Sequence, residues 1–195
     1  MKKILLIFIF IVSLTSNLFA DNDTKVKRIF EGKENAKIII ITYESLTCGH
    51  CADFHKNIYP ELKKEFIDKG LVKIEFRHFP LDLAALNASK IAQCSNDGNS
   101  NLLHILYSNQ TKWAKGETIE EINGRLKKLL KDEGITIDFE KCISDKNIED
   151  YILNDRIEGV KKFKVNSTPT VIINDKKIDK APNYKNIKKT LEKLI

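Results

Sequence analysis

The pattern of apolar and polar positions divides the chain into two stretches of mixed strand and helix separated by a helical middle. Ala36 to Tyr43 (AKIIIITY) is a short, continuous β-branched run, the signature of a central strand buried on both faces. Val26 to Phe30 predicts a short edge strand ahead of it. From Cys51 onward, Phe54, Ile58, Leu62 and Phe66 recur every fourth position, which predicts an amphipathic helix ending near Gly70 and bent at Pro60. Val72, Ile74 and Phe76 then alternate with Lys73, Glu75 and Arg77, a strand with one polar face that stops at Pro80.

Leu83 to about Asp150 shows mainly helical periods. The clearest runs from Thr118 to Lys131: Thr118 and Glu121 form a capping-box pattern, Ile119, Ile122, Leu126, Leu129 and Leu130 draw the apolar stripe, and Gly134 stops it. Strands resume at Thr170 to Ile173 and Lys177 to Asp179, on either side of Asn174-Asp175, a tight hairpin turn. Tyr184 to Ile195 closes the chain as an amphipathic helix. The order β, β, α, β, helical block, α, β, β, α describes an α/β protein whose mixed sheet is interrupted by a helical insertion.

At 195 residues the chain suffices for one domain with a sizeable core. Its first twenty residues carry Lys2-Lys3, an apolar run from Ile4 to Leu14 and a small residue at Ala20, the layout of a cleavable export signal. That run is shorter than a membrane crossing requires. The mature chain is expected to begin near Asp21, in an oxidising compartment where four cysteines invite disulfides. The formal charge of +6 falls when the leader's two lysines are removed, leaving 31 basic against 27 acidic residues. Because these are interleaved, as in Lys63-Lys64-Glu65, no nucleic-acid partner is expected.

The chemistry concentrates in SLTCGHCADFH, residues 45–55. Covalent haem attachment needs a histidine after the second cysteine, and residue 52 is alanine. A structural zinc site needs four ligands; Cys48, Cys51 and His55 offer three, while Cys94 and Cys142 are too far apart in sequence to form a second cluster. A redox dithiol explains more. Two intervening residues let both sulfurs meet across the first turn of a helix, whose N-terminal N–H groups favour a thiolate at Cys48. Cys51, one turn in, becomes the resolving thiol, and a protonated His50 adds positive charge beside Cys48. Stabilising that thiolate favours the reduced form and makes the disulfide an oxidant. Further on, Ser167-Thr168-Pro169-Thr170 precedes a strand, where a cis proline would expose backbone groups to an extended peptide.

Taken together, strand, CxxC, helix and the late Thr168-Pro169 resemble the thioredoxin superfamily, and finer matches resemble the DsbA-type thiol-disulfide oxidoreductases of bacterial envelopes. Those matches are Tyr43 with Ser45-Leu46-Thr47-Cys48, His50-Cys51-Ala52, Phe54-His55, Tyr59-Pro60, Arg77 with Phe79-Pro80-Leu81-Asp82, Gln110 with Trp113, and Val165 through Asn174. The resemblance implies a thioredoxin fold with an inserted helical domain: a signal peptide over 1–20, a first part over 21–83 carrying the CxxC, an insertion over 84–150 and a second part over 151–195 carrying the cis-proline loop. It implies Cys48 as nucleophile, Cys51 as resolving cysteine, Thr168 and Pro169 as the substrate-binding loop, and a possible bridge between Cys94 and Cys142, as some relatives have. It also implies a periplasmic location, reduced or unfolded exported polypeptides as substrates, a DsbB-like membrane quinone reductase as reoxidant, and no cofactor or metal.

Three features depart from that pattern. Gly49 stands where proline is common. Thr42 stands where many relatives carry a buried acid, leaving Glu44, on the same strand face, as a substitute or as a solvated strand-end carboxylate. Thr168 stands where DsbA proteins commonly have valine. These keep a reductase or isomerase in view beside the dithiol oxidase, with a non-enzymatic metal-binding exported protein as a third reading. Of the remaining histidines, His55 and His78 read as packing or surface groups and His104 as a core-edge residue, with Trp113 packed in the helical block.

Overall fold

A computed structural model describes residues 26–178 and 182–195. The expected leader at 1–20 and the end of the predicted hairpin strand at Asp179 lie outside the described residues. Strand β1 covers Ile29–Glu31, later than the sequence pattern places it, and β2 covers Ile38–Glu44. The helix expected to run to Gly70 is three pieces: α1 (Gly49–Asn57), α2 (Tyr59–Leu62) and a π-helical turn at Lys63–Ile67. The break falls at Ile58, which places Pro60 in the first turn of α2, where its missing N–H costs nothing.

Strand β3 follows at Val72–His78, and the insertion contains α3 (Leu83–Gln93), α4 (Asn101–Ser108), α5 (Gln110–Trp113), α6 (Ile119–Asp132) and α7 (Phe139–Ser144). Helix α8 is continuous over Lys146–Phe163, then come β4 (Thr170–Ile173), β5 (Lys176–Lys177) and α9 (Tyr184–Leu191). Side chains of Asp82, Thr118, Asp138, Asp145 and Asn183 cap their helices by accepting from backbone N–H groups of the first turn. Asn174 and Asp175 take positive φ of 45° and 62° in the β4-β5 turn, which Asn and Asp tolerate.

The five strands lie in the order β1-β3-β2-β4-β5, with β2 and β3 parallel and the other pairs antiparallel. Alternation along β2 feeds two cores. Ile38 and Ile40 join Val72, Ile74, Phe76, Val171 and Ile173 beneath α1, α2 and α9, where the insertion also packs. Ile41 and Tyr43 join Phe79, Phe163, Val165 and Ile172 beneath α8. The polar positions of β3 also face α8: Arg77 bridges Glu75 at 3.0 Å and Glu158 of α8 at 2.9 Å, and Lys73 reaches Glu75 at 3.2 Å. Among the described residues no helix is long and apolar enough to cross a membrane.

Tyr43 fixes how closely α8 approaches the sheet. Its fully buried ring packs edge-on to Phe79 at 6.5 Å and tilted to Phe163 at 6.0 Å, and its partner on α8 is a glycine. A Cβ at Gly159 would stand 2.8 Å from Tyr43 Cε1 and 2.9 Å from Cδ1. With the ring wedged on both sides, that overlap outweighs the helix propensity alanine would add, so Gly159→Ala is expected to destabilise by about 1–3 kcal/mol. A thermal melt should show a drop of several degrees, and an unchanged midpoint would mean α8 is free to lift away.

Candidate active site

Strand β2 ends at Glu44, the chain turns through Ser45-Leu46-Thr47, and Cys48 serves as the N-cap of α1 with extended dihedrals (φ −79°, ψ 119°). The turn is tied down from the insertion. Gln110 on α5 donates from Nε2 to the carbonyls of Leu46 at 2.8 Å and Cys48 at 3.0 Å. Thr47 Oγ1 donates to Asp82 Oδ2 at 2.7 Å, while Oδ1 of the same carboxylate caps α3 through Ala85 N. The Leu81 N–H reaches Ser45 Oγ at 3.4 Å. The segment leading into Cys48 is thus held by side chains from two other parts of the chain.

The two sulfurs, both free thiols, occupy opposite environments. Cys48 is partly exposed, whereas Cys51 is fully buried on the inner side of α1. The Cys51 thiol donates to the Cys48 sulfur, the largest influence on it. Partial burial works the other way, but Thr168 and the backbone N–H groups of Cys51 and His50 add to the first effect and pull the Cys48 thiol down to about 5. Burial, reinforced by the bond to Cys48 and by the charge of Glu44, drives the Cys51 thiol far up. One sulfur is a thiolate at neutral pH and its neighbour a thiol.

Facing them is the Thr168-Pro169 peptide bond, which is cis. The Thr168 carbonyl accepts from Cys48 Sγ at 3.4 Å when that sulfur is a thiol, whereas it is the Thr168 side chain, with no other hydrogen-bond partner among the described residues, that favours the thiolate. Cys48, Cys51, Thr168 and Pro169, 120 positions apart between Cys48 and Thr168, therefore meet at one place. His50 is exposed, and it is its backbone N–H that supports the Cys48 sulfur. Cys94, at the end of α3, is bridged to Cys142 on α7 with Cα atoms 5.6 Å apart, away from the dithiol and inside the insertion.

Glu44 and His55 form a buried pair at 2.6 Å, so Glu44 is not a solvated strand-end group and His55 is more than packing. His55 does not converge with the two cysteines; its second nitrogen turns to His104. Sequence reasoning missed Gln110 as a clamp and His55 and His104 as partners. The signal available was an acid at the end of β2 followed by a histidine on the inner face of α1.

With this geometry the chain falls into a class: a thioredoxin fold presenting a CxxC at a helix N-terminus across from a cis-proline loop. A family model described as Thioredoxin matches residues 24–193, and the chain belongs to that family. Within it the chain is DsbA-like. The crystal structure of Wolbachia pipientis alpha-DsbA1 matches with a TM-score of 0.77 and 28% identity, over 86% of this chain and 90% of that one. Among curated proteins, a Rickettsia bellii protein provisionally named a protein-disulfide oxidoreductase is 32% identical over 146 residues, covering 73% of this chain and 55% of the relative. Disulfide bond formation protein D of Bacillus subtilis is 28% identical over 171 residues, covering 83% and 74%. The chain spans about half the length of the Rickettsia relatives it matches.

Gly49, the first residue of α1, has open space where a Cβ would sit. Its N–H is not among the groups that support the Cys48 sulfur, and the extended dihedrals of Cys48 are those required before a proline. Gly49→Pro is therefore expected to fold and to gain about 0.4–1 kcal/mol in a denaturant titration. A loss of stability would show that Gly49 supplies a conformation proline cannot.

Proposed function

We propose that this chain is an exported thiol:disulfide oxidoreductase that introduces disulfide bonds into newly exported proteins through Cys48 and Cys51. The observation that carries this reading is the inequality of the two sulfurs. A nucleophile held as thiolate at about 5 leaves readily from a mixed disulfide, and its stabilisation makes the reduced enzyme the favoured product, so the disulfide is a good oxidant. A substrate thiolate attacks Cys48 Sγ, the Cys48-Cys51 bond breaks, and Cys51 departs with the electron pair and takes a proton. The second substrate thiolate then attacks the substrate sulfur, releasing Cys48 as thiolate and leaving the substrate oxidised by two electrons.

The Thr168-Pro169 loop is the surface against which a reduced, extended polypeptide would lie. Reoxidation falls to a membrane quinone reductase of the DsbB type, and the site of action is the periplasm. These assignments rest on the leader-like sequence of residues 1–20 and on membership of the DsbA-like group. Gly49 and Thr168 favour a second reading, a reductase or isomerase of the same compartment, because both lie next to the reactive sulfur.

Equilibration with glutathione buffers separates the two. With Cys94 and Cys142 left bridged, the dithiol is expected near −120 mV, as in DsbA, on a scale where thioredoxin lies near about −270 mV. Cys48→Ala should abolish oxidation of a reduced two-cysteine peptide, and Cys51→Ala, given the same peptide in its disulfide form, should trap it as a mixed disulfide on Cys48, the second peptide sulfur leaving as a thiol. A potential near that of thioredoxin would transfer the chain to the reductase reading.

A further inference from the structure

The turn that delivers Cys48 to the head of α1 is closed by its own backbone, the Cys48 N–H donating to the Ser45 carbonyl at 3.0 Å. The Cys48 carbonyl accepts from the N–H groups of Cys51 at 3.1 Å and Ala52 at 3.2 Å, the first bonds of α1. The Leu46 carbonyl has no partner within the turn. Among the described residues its one hydrogen bond comes from Gln110 Nε2, and that bond is buried, so leaving it unmade is costly.

Gln110 brings both hydrogens of one amide to this turn. Nε2 lies 2.8 Å from the Leu46 oxygen and 3.0 Å from the Cys48 oxygen. A primary amide nitrogen has two N–H groups diverging in one plane, one for each carbonyl. Because both neighbours are acceptors, it is the nitrogen of the amide and not its oxygen that must face them. The residue is 9% exposed and stands at the first position of α5. Trp113, fully buried at the other end of that short helix, fastens it by donating from its indole to the Leu106 carbonyl at 2.8 Å. The amide is therefore anchored in the insertion and reaches the dithiol from 62 residues away in sequence.

The two carbonyls belong to the peptide planes before Thr47 and after Cys48. Holding both to one nitrogen restrains the backbone dihedrals of Cys48 (φ −79°, ψ 119°), and with them the direction of its side chain. That direction decides what the sulfur meets: the Cys51 thiol, the Thr168 side chain and the N–H groups of His50 and Cys51 converge on it at this start of α1. The neighbouring restraint is of a different kind. The bond from Thr47 Oγ1 to Asp82 ties down a side chain and does not hold the plane after Cys48.

We propose that Gln110 is a positioning residue for thiol exchange: from the inserted helices it fixes the start of α1, keeps the Cys48 sulfur among its donors, and so sets how strongly the dithiol oxidises. It rests on the thiol-exchange reading above for the use made of the sulfur. Its hydrogen bonds go to two carbonyls and to neither sulfur, so it acts through Cys48 and takes no part in the exchange itself. Without the amide, the buried Leu46 carbonyl lacks a donor, the plane before Thr47 rotates toward another, and the sulfur loses part of what stabilises its charged form. A less stable thiolate weakens the reduced form and lowers the potential of the dithiol.

The test compares wild type with Gln110→Met, which keeps the length and removes both donors, and with Gln110→His, which offers a single N–H at similar reach. Two quantities are read with Cys94 and Cys142 left bridged: the midpoint of the Cys48 thiolate absorbance and the dithiol equilibrium with glutathione. Gln110→Met is expected to raise the midpoint by about one pH unit, about tenfold in thiolate stability. The glutathione equilibrium should move about tenfold toward the disulfide, a potential lower by about 30 mV. Gln110→His should fall between the two. Asn87→Ala, which breaks a 3.2 Å bond from α3 to Asn123 of α6, loosens the insertion away from the turn and should lower the melting temperature while leaving both quantities at wild-type values. A Gln110→Met protein that melts earlier but keeps the wild-type midpoint and equilibrium overturns the proposal, as does an Asn87→Ala protein that shifts them as far. The wild-type potential itself decides the oxidase reading, whereas the difference between wild type and Gln110→Met decides this one.

Discussion

Everything in this molecule that concerns reactivity depends on the different solvation of two sulfurs one helical turn apart. Cys48 sits at the N-cap of α1, where the Cys51 thiol, Thr168 and two backbone N–H groups converge on it. Cys51 points into the core, where burial and the Glu44 charge make its ionised form costly. Had α1 begun one residue earlier or later, the roughly 100° turn per residue would have carried one sulfur off the cis-proline loop and the other out of the core. The start of α1 is therefore the quantity that the rest of the structure holds constant.

The insertion contributes to that control as much as the thioredoxin core does. Gln110 holds the carbonyls on either side of the turn into Cys48, and Asp82 holds Thr47 while capping its own helix. Helix α4 supplies His104 and Tyr107, which pack against His55 on the inner side of α1. The bridge from Cys94 to Cys142 ties the end of α3, whose N-cap is Asp82, to α7. The helical block is accordingly both a lid on one sheet face and a set of struts for the active-site turn.

Much of this was legible in the chain. The β-branched run before the dithiol, the Thr118 cap of α6, the Asn174-Asp175 turn and the meeting of the CxxC with Thr168-Pro169 all follow from short-range patterns. What escaped is what tertiary contact decides. The helix after Cys51 keeps its period of four through Phe66, yet it breaks at Ile58 and takes a π turn over Lys63–Ile67, with the period carried across three pieces that share one core. The alternate Lys73, Glu75 and Arg77 lie under α8 instead of facing water, their charges answered by one another and by Glu158. Gln110 and His104 carry no local signal, since their partners lie 49 to 73 residues away in sequence.

The account stands most directly on the ionisation of Cys48. Titrating the thiolate absorbance of the reduced protein from pH 3 to 9, with Cys48→Ala as the blank, isolates that sulfur. A midpoint near 5 is the result expected from its surroundings. A midpoint near about 8.5, that of an unperturbed cysteine, would mean that the α1 N-terminus and the Thr168 loop do not stabilise the thiolate, and the oxidant chemistry derived from it would fall.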